Sequence, residues 1–307
     1  MPCYSPLKAS RLSDGSISFK AKSGEGDNLE LACGRCIGCR IDRSRSWAIR
    51  CMNEASFYDD NCFLTLTYDD EHLPKHGSLK YSDFQLFMKR LRKKYTGRRI
   101  RFYMCGEYGD ENLRPHYHAI LFNLDFEDKK KFFKSKSGSI VYRSEELESL
   151  WTLGQSSIGD VTEQSAGYVA RYCMKKIIGR GQDINPETGK RFDSVYDRLD
   201  IETGEIVKVV PEFTRMSLRS GIGKEWLERY YKDVYPNDSI VSAGGLKTKP
   251  PKYYDKIFET IDPDEMEYVK QQRVMRALNN YKETSYERLA VKEEIQTAKL
   301  KKLVRSL

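Results

Sequence analysis

The sequence predicts an α+β fold: an antiparallel sheet of the split βαβ, ferredoxin-like kind, with added helices. Three observations lead there. Apolar runs rich in β formers alternate with amphipathic stretches in the order strand, helix, strand, strand, helix, strand, and one more helix follows. The run Pro115-His116-Tyr117-His118-Ala119-Ile120-Leu121-Phe122 reads as a strand opening at a proline. The 307 residues, 39% hydrophobic and 32% charged, suffice for a real core under a wet surface.

Residues 1–32 are polar, with Gly and Ser punctuation, and read as irregular chain or short strands. A helix is predicted over 42–57, where Trp47, Cys51 and Ala55 fall four apart. Cys62 to Tyr68 is a strand closed by Asp69-Asp70. Ser82 with Gln85 three later is a capping-box pattern, opening a helix that stripes Phe84, Phe87, Met88, Leu91 and Tyr95 and stops at Gly97. Arg101 to Cys105 is the next strand, and a turn-rich link leads to the histidine strand. The charged stretch 126–151, broken around Ser137-Gly138-Ser139, reads as helical, 157–162 as a short strand, and Glu163 to Ile178 as a helix closed by Gly179 and Gly181.

Four segments result: a Cys-containing segment 1–60 packed on the core, the core itself at 61–180, an insertion with accessory elements at 181–261, and a charged helical segment at 262–307. No apolar run approaches the roughly 18 residues of a membrane span, and the amino terminus lacks a secretion-signal pattern, so a cytoplasmic protein is expected. The net charge of +8 is concentrated at 80–101, where Lys80, Lys89, Arg90, Arg92, Lys93, Lys94, Arg98, Arg99 and Arg101 face a single Asp83. Such density suits a phosphate backbone, with a solvated helix face as the plainer alternative. Arg90, Arg92, Lys93 and Arg114 are the candidate DNA contacts. Gly221-Ile222-Gly223-Lys224 resembles part of a phosphate loop, but Leu218 stands where its first glycine belongs, so no ATP site is supported.

The chain has four histidines, and His116 and His118 point to the same face of one strand. Two imidazoles on a rigid pleat supply most of a divalent-metal site, and a carboxylate usually completes it. Glu107, across the hairpin from His116, is the favoured third ligand, with Asp110 and Glu111 as rivals. A second metal reading concerns Cys33-x2-Cys36-x2-Cys39, for which Cys3 would be the fourth ligand of a structural zinc. Its alternatives are an iron–sulfur cluster or thiols without metal. On the last core helix Tyr168, Tyr172 and Lys175 share one stripe. They either bury their rings against the sheet or, beside a metal site, perform nucleophilic attack, the lysine supplying positive charge.

Phe63-Leu64-Thr65-Leu66-Thr67, Arg114-Pro115-His116-Tyr117-His118 and Tyr168-Val169-Ala170-Arg171-Tyr172 with Lys175, in that order, resemble the HUH endonucleases. The likeness is closest to the rolling-circle replication initiators of the gokushovirus branch of the microviruses, and covers nearly the whole chain. It implies that His116, His118 and Glu107 bind Mg2+ or Mn2+, and that one tyrosine attacks a single-stranded DNA origin, leaving a 5′-phosphotyrosyl link and a 3′-OH. The second tyrosine then cleaves the regenerated origin so that one genome is circularised. Host DNA polymerase and helicase are the implied partners, and the cytoplasm of a bacterial host the implied location. The other readings are a transposase or relaxase of the same chemistry, a hydrolase using activated water, and a non-catalytic, metal-stabilised DNA-binding regulator.

Overall fold

The computed structural model describes residues 3–20, 27–109, 112–135, 138–171, 191–242, 245–279 and 285–301. In chain order the elements are β1 (Leu7–Arg11), β2 (Ile17–Ser18), β3 (Asp27–Leu31), α1 (Ile37–Ala55), β4 (Asn61–Tyr68), α2 (Tyr81–Lys94), β5 (Arg101–Tyr108) and β6 (Pro115–Phe122). There follow β7 (Lys130–Lys134), β8 (Ile140–Arg143), α3 (Glu145–Leu150), β9 (Gly154–Gly159), α4 (Glu163–Arg171), β10 (Asp197–Leu199), β11 (Ile206–Lys208) and β12 (Phe213–Met216). The last are α5 (Lys224–Val234), β13 (Ile240–Val241), β14 (Lys247–Thr248), α6 (Lys252–Ile261), α7 (Pro263–Asn279) and α8 (Tyr286–Lys301). Among the described residues no helix is long and apolar enough to cross a membrane.

The chain divides into two compact units, one of Met1–Arg43 with Gln271–Val304, the other of Ser44–Lys270 with the last three residues. The first division falls inside α1 after Arg43 and the second inside α7 after Lys270. In both places one continuous helix carries the chain across, so composition gives no sign of the division.

The larger unit is built on a seven-stranded antiparallel sheet in the order β12-β5-β6-β4-β9-β8-β7. Its central four strands, β5-β6-β4-β9, reproduce the expected split βαβ order. Strand alternation assigns two cores. On one face Leu64, Leu66, Met104, Tyr117, Ala119 and Leu121 pack under Phe84, Phe87 and Leu91 of α2 and Leu147 and Leu150 of α3. On the other Phe63, Tyr103, Cys105, Ile120 and Phe122 pack under Cys51 and Ala55 of α1 and Ala166 and Val169 of α4. A third cluster, with Leu227, Val234, Tyr254 and Phe258, joins α5 to α6 and α7.

Several expectations need correction. The stretch 126–151 holds the hairpin β7–β8 and helix only at Glu145–Leu150. Phe132, Phe133, Val141 and Tyr142 are strong β formers on either side of Gly138, and at a sheet edge their charged neighbours remain in water. Ser82 is no N-cap: α2 begins at Tyr81 after Lys80, without a side-chain cap, so Ser82 falls in the first turn. α1 starts five residues earlier than predicted, which puts Cys39 on the helix. β5 runs three residues further than predicted, to Tyr108, so Glu107 is a strand residue. The strand predicted at 157–162 lies at Gly154–Gly159. Of the helix predicted over 163–178, α4 accounts for Glu163–Arg171, the remainder lying outside the described residues.

The Gly221–Lys224 segment is a packing device. The Gly223 amide donates to Glu54 Oε2 at 2.8 Å, and Arg50 Nε donates to the Ile222 carbonyl at 2.9 Å. Gly223 has φ +75°, and a Cβ there would meet the Tyr254 hydroxyl at 2.5 Å and the Arg50 carbonyl oxygen at 3.0 Å. Only glycine combines that left-handed backbone with so close an approach.

Candidate metal centre and its tyrosine

β5 and β6 pair so that Glu107 lies opposite His116 and Cys105 opposite His118, while β4 places Thr65 opposite His118. All these side chains fall on the face covered by α1 and α4. Antiparallel register thus does what spacing alone cannot: it sets a carboxylate from one strand against two imidazoles from the next. His116 Nε2 is 2.7 Å from Glu107 Oε1, and His118 Nε2 is 3.0 Å from the same oxygen. Both Glu107 and His118 are buried, at 1% and 6% exposure. The ligand atoms of the three residues lie within 4.8 Å of one another.

The opposite edges of the rings fix what those nitrogens present. His116 Nδ1 is 3.0 Å from the Arg114 carbonyl oxygen, which can only accept, so Nδ1 carries the proton. His118 Nδ1 is 3.0 Å from Thr65 Oγ1. With His116 Nδ1 protonated, its Nε2 is a lone pair facing a carboxylate oxygen. Two lone pairs at that separation repel, so the cluster is stable only with positive charge among them, either extra protons on the imidazoles or a cation. Burial pushes the Glu107 carboxyl up, but hydrogen bonds and charge from His116 and His118 outweigh it and hold the group at about 2. A permanently ionised carboxylate and two outward Nε2 atoms form a donor set that fits a divalent cation.

α4 brings the tyrosine. Its start is held by reciprocal bonds: Ser165 N donates to Thr162 Oγ1 at 3.1 Å and Thr162 N to Ser165 Oγ at 2.8 Å. Ala166, Val169 and Ala170 are buried beneath it. The Tyr168 ring then meets the His118 ring edge to face at 5.1 Å and the Phe63 ring at 6.3 Å. Tyr172 and Lys175 lie outside the described residues.

The basic residues are not gathered at this site. α2 packs on the opposite face of the sheet, among Leu66, Met104 and Tyr117. Arg90 Nε donates to the Leu150 carbonyl at 2.8 Å and Arg92 Nη2 to the Ile100 carbonyl at 3.2 Å, while Lys93 is exposed. Arg98 and Arg99 pair with Asp60 and Glu225, and buried Arg101 with Glu54 at 2.7 Å. Arg114 stays near the site: its carbonyl holds His116, and its guanidinium binds the Tyr68 carbonyl at 3.0 Å and Asp70. Sequence reasoning passed over Thr65, whose role follows only from the β4–β6 register.

Comparison with known proteins gives the family of the chain. Residues 61–177 match the family model of the replication-associated protein ORF2/G2P. The chain is 36% identical over 279 residues to replication-associated protein VP4 of Bdellovibrio phage phiMH2K, covering 87% of this chain and 81% of that one. It is 31% identical over 299 residues to replication-associated protein ORF2 of Spiroplasma virus 4, covering 89% and 86%. Replication-associated protein ORF4 of Chlamydia phage 1 is 33% identical over 172 residues, covering 53% and 43%. The chain belongs to this family of replication-associated proteins of microvirus-like phages. No solved structure matches it.

Proposed function

We propose that the protein is a replication initiator of the HUH nuclease type, which nicks a single-stranded DNA origin by tyrosine attack and later rejoins the strand. The observation that carries this reading is the convergence of His116 Nε2 and His118 Nε2 on Glu107 Oε1, with the Tyr168 ring against His118. Mg2+ or Mn2+, when bound by these three side chains, would draw charge from a phosphodiester oxygen and orient the leaving 3′ oxygen. The Arg114 carbonyl holds His116 in the ligating tautomer, and Thr65 orients the His118 ring.

The phenol of Tyr168 or Tyr172 loses its proton and its oxygen bonds to phosphorus, while the bond to the 3′ oxygen breaks and that oxygen leaves as a 3′-OH. Lys175 supplies positive charge to the phenol or the phosphate. The 5′-phosphotyrosyl link keeps the energy of the broken bond, so a later 3′-OH can attack it and close the circle without ATP. The partners are then a single-stranded origin, the host DNA polymerase that extends the 3′-OH, and a host helicase, in the bacterial cytoplasm. Arg114, at the start of the histidine strand, would contact the DNA backbone.

The test is a covalent adduct. Incubated with labelled origin oligonucleotide and Mn2+, the protein forms a denaturation-resistant complex, and the double variant Tyr168→Phe, Tyr172→Phe binds the oligonucleotide without forming it. Adduct from the double variant would reject the nucleophile, and cleavage without adduct would indicate activated water instead.

A further inference from the structure

We infer that Cys3, Cys33, Cys36 and Cys39 bind a single structural Zn2+ that staples the unit formed by residues 1–43 and 271–304. The four Sγ atoms lie within 4.8 Å of one another, and Cys3 Sγ and Cys36 Sγ are 4.0 Å apart. Four thiolates around one ion with Zn–S of about 2.3 Å stand about 3.8 Å apart, so the cage has the size of one tetrahedral ion. It is too wide for a disulfide, whose sulfurs are about 2 Å apart. It is also too tight to enclose the inorganic sulfides of an iron–sulfur cluster.

The backbone around the sulfurs is arranged for thiolates. Amide N–H groups point at three of them: Cys33 N to Cys3 Sγ at 3.3 Å, Cys36 N to Cys33 Sγ at 3.2 Å, and Tyr4 N and Cys39 N to Cys36 Sγ at 3.3 and 3.5 Å. A neutral thiol is a weak acceptor, whereas a metal-bound thiolate carries the charge that draws such donors. Gly34, at φ +75°, provides the left-handed step that turns the chain between Cys33 and Cys36. Cys39 lies in the first turn of α1.

Topology explains why the staple sits here. β1 and β3 pair with Leu7 opposite Leu31, so the chain before β1, carrying Cys3, and the chain after β3, carrying Cys33, leave the sheet side by side. Little else holds the unit together: among its described residues the buried hydrophobic side chains are Cys3, Ala9 and Leu289. A sheet with strands of five, two and five residues and so small a core resembles the domains that need a metal or disulfides to fold. Soft thiolates select zinc over the hard cations suited to Glu107, so the two centres would carry different ions.

Metal analysis of the purified full-length chain, after dialysis against EDTA, tests the assignment. One zinc per chain is expected, released by a mercurial thiol reagent, retained in His116→Ala/His118→Ala, and lost in Cys33→Ser/Cys36→Ser. In case those cysteine variants fail to fold, the native chain exchanged with Co2+ supplies a second readout, the visible absorption of a tetrahedral thiolate site. A chain without zinc, bound iron in its place, or zinc that leaves with the histidines would each overturn the inference.

Discussion

Thr65→Val is the sharpest probe of the centre, because it replaces neither a ligand nor the nucleophile. Thr65 Oγ1 is 3.0 Å from His118 Nδ1, and the residue is half-buried in β4 opposite His118. Valine nearly matches its shape but makes no hydrogen bond to the imidazole, so the ring loses the contact that fixes its rotation. Losing one such hydrogen bond costs about 0.5–1.5 kcal/mol of stability, which leaves the fold intact. The larger effect falls on the cation. Groups that orient a metal-bound histidine are typically worth 10–100-fold in metal affinity, about 1.4–2.8 kcal/mol. The assay is a calorimetric Mn2+ titration of native chain and variant, run beside adduct formation at limiting and saturating Mn2+. The variant should bind Mn2+ about 10–100-fold more weakly and recover adduct when Mn2+ is raised. Affinity within twofold of the native chain, with adduct unchanged at limiting Mn2+, would refute the role given to Thr65.

Four further outcomes follow from the geometry. Glu107→Gln removes a carboxyl held at about 2 in the folded chain against an ordinary 4.5. The carboxylate's stabilisation, of order 3 kcal/mol at most, is present above about pH 4.5 and lost as pH falls toward 2. In metal-free protein the stability gap between native and variant, measured by urea unfolding, should narrow over that window, and a gap independent of pH contradicts it. Gly223→Ala forces a side chain into a left-handed position 2.5 Å from the Tyr254 hydroxyl, and should destabilise by roughly 2–4 kcal/mol in thermal or urea unfolding. Arg90→Ala should cost about 1–3 kcal/mol of stability, through its bond to the Leu150 carbonyl. Because α2 lies on the face away from the histidines, Arg90→Ala and Arg92→Ala/Lys93→Ala should leave adduct formation on a short oligonucleotide unchanged; a marked loss would put DNA phosphates on α2.

The sequence by itself determined the elements whose side-chain period is unambiguous, and the ligands that share one strand. Alternation places His116 and His118 on one face whatever else the chain does, and the stripe from Phe84 to Leu91 makes α2 a one-sided helix. The charged stretch from 126 to 151 misled because at an exposed sheet edge a strand keeps its lysines in water as readily as a helix does, so composition does not separate the two. Register and the choice of face were decided only by tertiary structure. The hairpin already offered Glu107 to His116, nine residues away, but the pairing that sets Thr65 against His118 joins residues 53 apart in sequence. The same pairing puts α2, with its basic residues, on the opposite face from the histidines. Such contacts are fixed by which apolar faces can be covered together, and a linear chain does not record that.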